Sequence, residues 1–279
     1  IDKDSEAFKS MIRTIKIVQR VREDFTQFAN GLVDDENPEN IQELEDLSKS
    51  KPHMADFWKN RPPANIGRMS FSDTNIWFCS VGNEQIDFSS REITGIISGM
   101  AFAQLLSLFR GVICRGSLTV GVGSDILGSI DGGAPEIYGP VLVDAHKLES
   151  EKADYPRVIA SDALVSLLAN LQVDFSGLDS ESPNFPKIAY HSTNFGICRE
   201  MFYRDADGAF ALDYAGVHAA NTFKSTMVEM NLDPAETYSK AMEFIKNEIG
   251  RHTANRNFRH TLRNKRVLEY LESRSEHWK

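Results

Sequence analysis

Apolar residues recur at three- and four-residue steps near the start of the chain and predict an amphipathic helix over residues 5–30. The apolar positions of this pattern are Phe8, Met11, Ile12, Ile15, Val18, Phe25 and Phe28. Ser5 is a suitable N-cap, and Gly31 ends the pattern. An acidic, loop-like segment over 33–50 follows, and then a weaker helix that ends before the prolines at 62–63.

The pattern changes at residues 68–81, where two runs able to form strands flank a tight Ser-Asp-Thr turn. This arrangement predicts a β-hairpin with Asp73 at its tip. A carboxylate fixed between two paired strands can ligate a hard cation. An aspartate that only forms the turn is the structural alternative.

Strand and helix patterns then alternate through the middle of the chain. They predict a helix from Ser89 or Ser90 to Phe109, strands over 112–121, 136–138 and 155–160, a helix over 141–150, and a helix from Ser161. Two strand runs around Asp205-Ala206-Asp207-Gly208 predict another hairpin. The Asp-x-Asp-Gly spelling also resembles part of a calcium loop, but the later glutamate of such loops is absent.

Hairpins mixed with crossover helices indicate an α+β fold, a mixed sheet with helices mainly on one face. We predict a main domain over 1–215 and a helical extension over 216–279. The extension is locally basic, with cations at Lys246, Arg251, Arg256, Arg259, Arg263, Lys265 and Arg266. A packing or dimer helix with solvated charges is the favoured interpretation, and a nucleic-acid or phosphate contact is the alternative.

Composition narrows the function classes. The chain has 279 residues, of which 41% are hydrophobic and 25% charged, and its net charge of −9 disfavours a general nucleic-acid binder. No run of about 18 apolar residues predicts a membrane span. Three cysteines without a CxxC spacing are typical of reduced thiols in a cytoplasmic protein. Because the chain begins with Ile1 rather than Met, we expect a segment upstream.

Four motifs in order carry a resemblance to a known family. They are the hairpin over 68–81, the strand over 115–121 spelled RGSLTVG, the segment over 137–150 spelled IYGPVLVDAHKLES, and the segment over 153–158 spelled ADYPRV. Together they resemble the class III nucleotidyl cyclase domain over residues 5–215. Their particular spelling is closest to the bacterial Pycsar pyrimidine cyclases.

The resemblance implies a role for Asp73. In the family, two carboxylates on adjacent strands hold two divalent cations, Mn²⁺ or Mg²⁺, against a nucleoside triphosphate. Asp73 matches the second of these carboxylates. The first normally lies on a strand before the helix that starts near Ser5, and that strand would precede Ile1. Asp2 and Asp4 lie too close to the helix to replace it.

The phosphate-binding positions depart from the family pattern. The transition-state arginine corresponds to Lys147, which can supply charge but not the bidentate fork of arginine. The asparagine one turn earlier corresponds to Val143. Arg115 and Arg157 are alternative phosphate cations, with Arg115 weakly favoured, and either can instead be a structural ion-pair partner. A solvated lysine is the alternative for Lys147.

The base-selecting positions correspond to Met69 and Glu136. Met69 donates no hydrogen bond, whereas Glu136 accepts one from a uracil imide or a cytosine amino group. An exposed glutamate without a role is the alternative. The pair departs from the lysine and aspartate that are common in adenylate cyclases and is compatible with a pyrimidine.

The resemblance therefore implies a cytoplasmic, homodimeric lyase that converts UTP, or secondly CTP, to a 3′,5′-cyclic nucleotide and pyrophosphate. It further implies an antiviral defence role, in which the product activates a separate effector protein, and no membrane or nucleic-acid partner is expected. Two alternatives stay open. One is a catalytically inactive nucleotide-binding or regulatory module with this fold, and the other is a purine cyclase.

Overall fold

The computed structural model describes residues 66–71, 74–81, 90–126, 136–171, 182 and 185–279, together with Ile12, Lys16, Gln19, Arg20 and Glu23. These last five residues are helical, in agreement with the amphipathic helix predicted there. The described residues do not include the rest of the predicted helix, the acidic segment over 33–50, the prolines at 62–63 or Asp73.

Short strands alternate with longer helices. The strands are β1 (Gly67–Phe71), β2 (Thr74–Phe78), β3 (Gly116–Leu118), β4 (Ser124–Ile126), β5 (Glu136–Tyr138), β6 (Val158–Ala160), β7 (Phe202–Arg204) and β8 (Phe210–Leu212). The helices are α1 (Ser90–Phe109), α2 (Pro140–Lys152), α3 (Asp162–Leu171), α4 (Phe185–Glu200), α5 (Val217–Glu229), α6 (Pro234–Ala254) and α7 (Phe258–Arg274), followed by a 3₁₀ turn (Ser275–Trp278). The architecture is α+β, as predicted.

The largest sheet has four strands in the order β3-β6-β8-β7. The β3 and β6 strands run parallel, whereas β8 is antiparallel to both of its neighbours. A mixed sheet of this kind needs a crossover between its parallel strands. The chain makes that crossover through β4, β5 and α2.

The central strand β6 is buried on both faces. Val158 and Ala160 join the large hydrophobic core that includes α1, whereas Ile159 points to a smaller cluster with Ala153. Leu148 of α2 packs on that smaller cluster. A strand covered on both sides has no polar alternation, which explains the continuous apolar run in its sequence.

Helix α1 is the central helix of the core. It packs against α4, α5, α6 and β6. In the described part of the chain it is the one helix long and apolar enough to cross a membrane, and 72% of its most apolar window is buried inside the protein. That burial is the environment of a core helix.

The C-terminal helices pack on the same core. Helix α6 lies against α1, and α7 pairs with α6. Trp278 is only 2% exposed, stacks on Tyr238 with ring centroids 5.1 Å apart, and donates an indole hydrogen bond of 2.9 Å to the Ala215 carbonyl. The predicted extension is therefore tied to the end of the predicted main domain.

Two predictions about single elements need correction. The strand predicted over 112–121 is limited to Gly116–Leu118, because only these residues pair with β6. The strand predicted over 155–160 is likewise limited to its last three residues. Two elements were not predicted. They are β4, which pairs with β5, and α4, which packs against α1 and α3.

Candidate functional site

The first hairpin fixes the position where the sequence places Asp73. Strands β1 and β2 pair antiparallel with Phe71 opposite Thr74, so that Ser72 and Asp73 alone connect them. The Ser70 hydroxyl donates a 2.9 Å hydrogen bond to the Asn75 side chain across the last pair but one. The predicted hairpin is confirmed. Asp73 itself lies outside the described residues, and its metal role stays a prediction.

The two positions that the resemblance assigns to base selection lie on neighbouring strands. Cα atoms of β1 and β5 approach within 8 Å, although these strands belong to separate two-stranded sheets. Met69 is half-buried on β1 opposite Ile76. Glu136 begins β5 opposite Ile126. The backbone thus brings the two positions into one region, while the side chain of Glu136 lies outside the described part.

The Tyr-Gly-Pro sequence turns the chain from β5 into α2. Gly139 has a φ of 123°, a left-handed conformation that side chains other than glycine rarely adopt. Pro140 follows at the first helical position, where a backbone N–H would have no partner within the helix in any case, so that proline costs no hydrogen bond. The Val141 amide donates to the Val122 carbonyl at 3.1 Å, which ties the helix start to the β4 side. The motif is thus a tight corner that fixes the direction of α2.

Helix α2 exposes the two positions that the resemblance assigns to catalysis. Val143 is 65% exposed, and Lys147, one turn later, is also exposed. The Lys147 ammonium makes no hydrogen bond or ion pair with any residue that the structure describes. It is therefore available to an anionic ligand or to another subunit.

Arg115 lies beside the same helix. Its guanidinium forms an ion pair with Glu149 of α2, while about half of its side chain, 49%, stays exposed. The Ser117 hydroxyl donates a 2.7 Å hydrogen bond to the Ala145 carbonyl and holds β3 against α2. The structure thus places Arg115 next to the helix of Lys147. Glu149 was not among the predicted site residues, although its place in the Leu-Glu-Ser motif could have indicated it.

Arg157 is a structural ion-pair partner. Its side chain is 3% exposed and binds the carboxylates of Asp205 and Asp207. It also donates a 2.7 Å hydrogen bond to the Lys152 carbonyl and lies 4.3 Å from the centre of the Tyr155 ring. Both Nη atoms are occupied by these partners, and the buried Nε has none among the described residues, so that the guanidinium is enclosed and not accessible to a phosphate.

The Asp205–Gly208 segment is a hairpin turn, as predicted. The Gly208 amide donates to the Asp205 carbonyl at 2.8 Å, and Asp205 and Asp207 face Arg157. Hydrogen bonds from Arg157 lower the pKa of Asp207. These carboxylates are directed at the Arg157 guanidinium and not at a site for a calcium ion.

No group of three or more histidine, cysteine, aspartate or glutamate side chains within the described residues could hold a metal ion. The three cysteines are free thiols, and Cys198 is buried. Burial raises the pKa of Cys79 and of Cys198 to about 12, so that both thiols stay protonated near neutral pH.

Comparisons with known proteins identified no relative of this chain. No family model matches the chain, and no curated protein or solved structure matches it.

Proposed function

We propose that this chain is a nucleotidyl cyclase domain that converts a pyrimidine nucleoside triphosphate, UTP before CTP, to its 3′,5′-cyclic monophosphate. The observation that supports the proposal most is the contiguity of the motif-bearing elements. Strand β1 lies against β5, β5 leads directly into α2, and α2 packs on β3. Met69, Glu136, Lys147 and Arg115 thus belong to one continuous part of the molecule.

The proposed reaction is an intramolecular phosphoryl transfer. The ribose 3′-oxygen forms a bond to the α-phosphorus, the bond from that phosphorus to the bridging oxygen of the β-phosphate breaks, and the 3′-hydroxyl proton passes to solvent. Pyrophosphate leaves with the bonding electron pair. Cations that stabilise charge on the phosphate oxygens supply most of the catalysis in such reactions.

Lys147 and Arg115 are the described cations suited to this role. Lys147 presents an unpaired ammonium on the exposed side of α2, and Arg115 retains half of its side chain in solvent beside Glu149. We assign Lys147 to the phosphate chain of the substrate and Arg115 to a supporting position. The exposure of Val143 and Lys147 suits a site completed by a second subunit, as the resemblance implies.

A metal enters the proposal only through the resemblance. Asp73 would hold Mn²⁺ or Mg²⁺, which supplies charge at the phosphates, together with a carboxylate upstream of Ile1. The remaining parts of the proposal, a defence role with a separate effector and a cytoplasmic homodimer, rest on the same resemblance.

The deciding experiment incubates the full-length protein with each of the four nucleoside triphosphates and either Mn²⁺ or Mg²⁺, and identifies products by mass spectrometry. We expect cyclic UMP or cyclic CMP with pyrophosphate, and loss of product in Asp73→Asn. Asp162→Asn, an exposed carboxylate in the first turn of α3, is the matched control. A cyclic purine product would replace the pyrimidine assignment.

The competing function is a non-catalytic nucleotide-binding module. Two observations favour it. Valine stands where the family has asparagine, and the Arg115 guanidinium is already paired with Glu149. Calorimetric titration of a nucleoside triphosphate separates the two functions. Binding without any cyclic product from the full-length protein would establish the module.

A further inference from the structure

The corner where α6 meets α7, residues 251–266, has a composition unlike the rest of the chain. It contains six arginine or lysine residues and no aspartate or glutamate, in a protein of net charge −9. We call residues 251–266 the basic corner. It ends α6, passes through a short turn at Asn255–Asn257, and forms the first half of α7.

Five of the six cations of the basic corner fall into two groups, and the sixth, Arg266, lies 5.8 Å from the centre of the Tyr155 ring. Arg259 and Arg263 both bind Asp154 and connect the corner to the segment before β6, whereas Arg251 binds Glu248 one turn earlier on α6. Arg256 and Lys265 are exposed and bind no acidic side chain among the described residues. Part of the positive charge is thus structural, and part is available to an external anion.

Two large apolar side chains stand among these cations. Phe258 is 66% exposed and Leu262 is 63% exposed. They are four residues apart on α7 and therefore lie on the same side of the helix. The opposite side, which carries Asn264, Val267 and Leu271, is buried in the protein. Apolar residues that emerge beside cations on a helix are the pattern of an interfacial membrane helix.

The shape of the basic corner distinguishes between possible anionic partners. Every residue over 253–260 is exposed, so that the corner is a protruding tip and not a groove. Proteins that bind single-stranded nucleic acid use grooves that follow the backbone, and an aliphatic side chain such as Leu262 contributes little there. A second copy of the corner would bring like charges together. A flat anionic lipid surface fits both the cations and the two apolar side chains.

We propose that the basic corner binds the surface of a membrane that contains anionic lipids. Phe258 and Leu262 enter the boundary between headgroups and acyl chains, and Arg256 and Lys265 contact the lipid phosphates. The proposal does not depend on the proposed cyclase activity. It replaces, for this corner, the expectation that the chain has no membrane partner.

Co-sedimentation with vesicles tests the proposal on the whole chain. We expect binding to phosphatidylcholine vesicles that contain about one third phosphatidylglycerol, and none to vesicles of phosphatidylcholine alone. Phe258→Ala with Leu262→Ala should lower the partition coefficient about tenfold. Arg256→Gln and Lys265→Gln should each lower it about fivefold. Because all four side chains are exposed, none of these variants removes a core contact.

Val228→Ala and Arg199→Gln are matched controls, since Val228 is also 63% exposed and Arg199 is an exposed cation on α4. A direct reporter is Phe258→Trp, whose fluorescence should shift to shorter wavelength on anionic vesicles only. Two outcomes would overturn the proposal. They are the absence of binding to anionic vesicles, with or without binding of a single-stranded oligonucleotide to the same corner, and binding that survives loss of both apolar side chains.

Discussion

The guanidinium of Arg157 binds the carboxylate of Asp207 across a sequence separation of 50 residues, with 2.5 Å between Nη2 and Oδ2. This pair joins the start of β6 to the turn between β7 and β8. Asp205 completes the arrangement, and only 15% of its side chain is exposed. The pair therefore holds the outer hairpin onto the central strand of the sheet.

Removal of this arginine should destabilise the fold strongly. Arg157→Met leaves Asp205 buried without a counter-charge, and we expect the free energy of unfolding to fall by about 3 kcal/mol. Urea unfolding followed by circular dichroism measures the change. Arg199→Met, at an exposed position of α4, should change stability by less than about 0.5 kcal/mol. Equal stabilities of the two variants would contradict a structural role for Arg157.

The same pair predicts a pH dependence. Because Arg157 lowers the folded-state pKa of Asp207, the carboxylate stabilises the fold fully above its unfolded pKa of about 3.9 and loses that contribution as the pH falls through the lower folded value. Asp207→Asn should therefore flatten the loss of stability below about pH 4. The effect should be about 1 kcal/mol or less, because 46% of the side chain is exposed. If the unfolding free energy of Asp207→Asn fell with pH below about pH 4 as steeply as that of the unaltered protein, this linkage would be contradicted.

Trp278 should matter more than its place near the end of the sequence indicates. Trp278→Ala removes the stack on Tyr238 and the hydrogen bond to Ala215, and it opens a cavity in the core. We expect a loss of about 3 to 5 kcal/mol in unfolding free energy, measured by denaturant titration. Lys279→Ala, one residue later and exposed, is the control and should be close to neutral.

The thiols should be inert until the protein unfolds. Burial raises the pKa of Cys79 and Cys198 to about 12 and also raises that of Cys114, so that little thiolate is present at pH 8. Mass spectrometry after iodoacetamide treatment should find native protein unmodified, and all three cysteines modified in urea. Rapid native modification of Cys198 would show that the region around α4 opens.

Lys147 provides a test specific to the cyclase proposal. Lys147→Ala should lower kcat about 100-fold with little change in stability, because the side chain is exposed and unpaired. Lys152→Ala, at the exposed end of the same helix, should keep full activity. Lys147→Arg should retain activity, since arginine is the residue that the family carries there.

Complementation would test whether the site needs two subunits. If Asp73 of one subunit and Lys147 of its partner complete each site, mixing Asp73→Asn with Lys147→Ala should restore part of the activity, because one of the two sites in a mixed dimer then contains both intact side chains. Product formation no greater than the sum of the separate variants would contradict a shared site.

Local patterns predicted the parts of the fold that depend on neighbouring residues. The hairpin over 68–81 follows from two strand runs and a short turn, and Ser161 caps α3 through a 3.1 Å hydrogen bond from the Leu164 amide. Helix α4 has little amphipathic patterning and is helical because it packs between α1 and α3. Its sequence alone therefore gave no sufficient signal.

The choice between Arg115 and Arg157 could not be made from sequence. Both lie next to predicted strands, and a guanidinium at either position could bind a phosphate. Arg157 is structural because its carboxylate partners lie about 50 residues away and meet it only in the folded sheet. Arg115 differs in having a nearby partner, Glu149, and a half-exposed side chain. Its catalytic role stays a prediction, as does that of Asp73.

The docking of Trp278 and α6 on the core also limits how the chain can be divided. A fragment that ended at residue 215 would leave the side of α1 that meets α6 exposed to water, along with the unpaired carbonyl of Ala215. During synthesis that side of α1 stays uncovered until α6 has been added, and the Ala215 carbonyl stays unpaired until Trp278 has been added. The growing chain therefore exposes apolar surface that promotes aggregation until α6 has docked on α1.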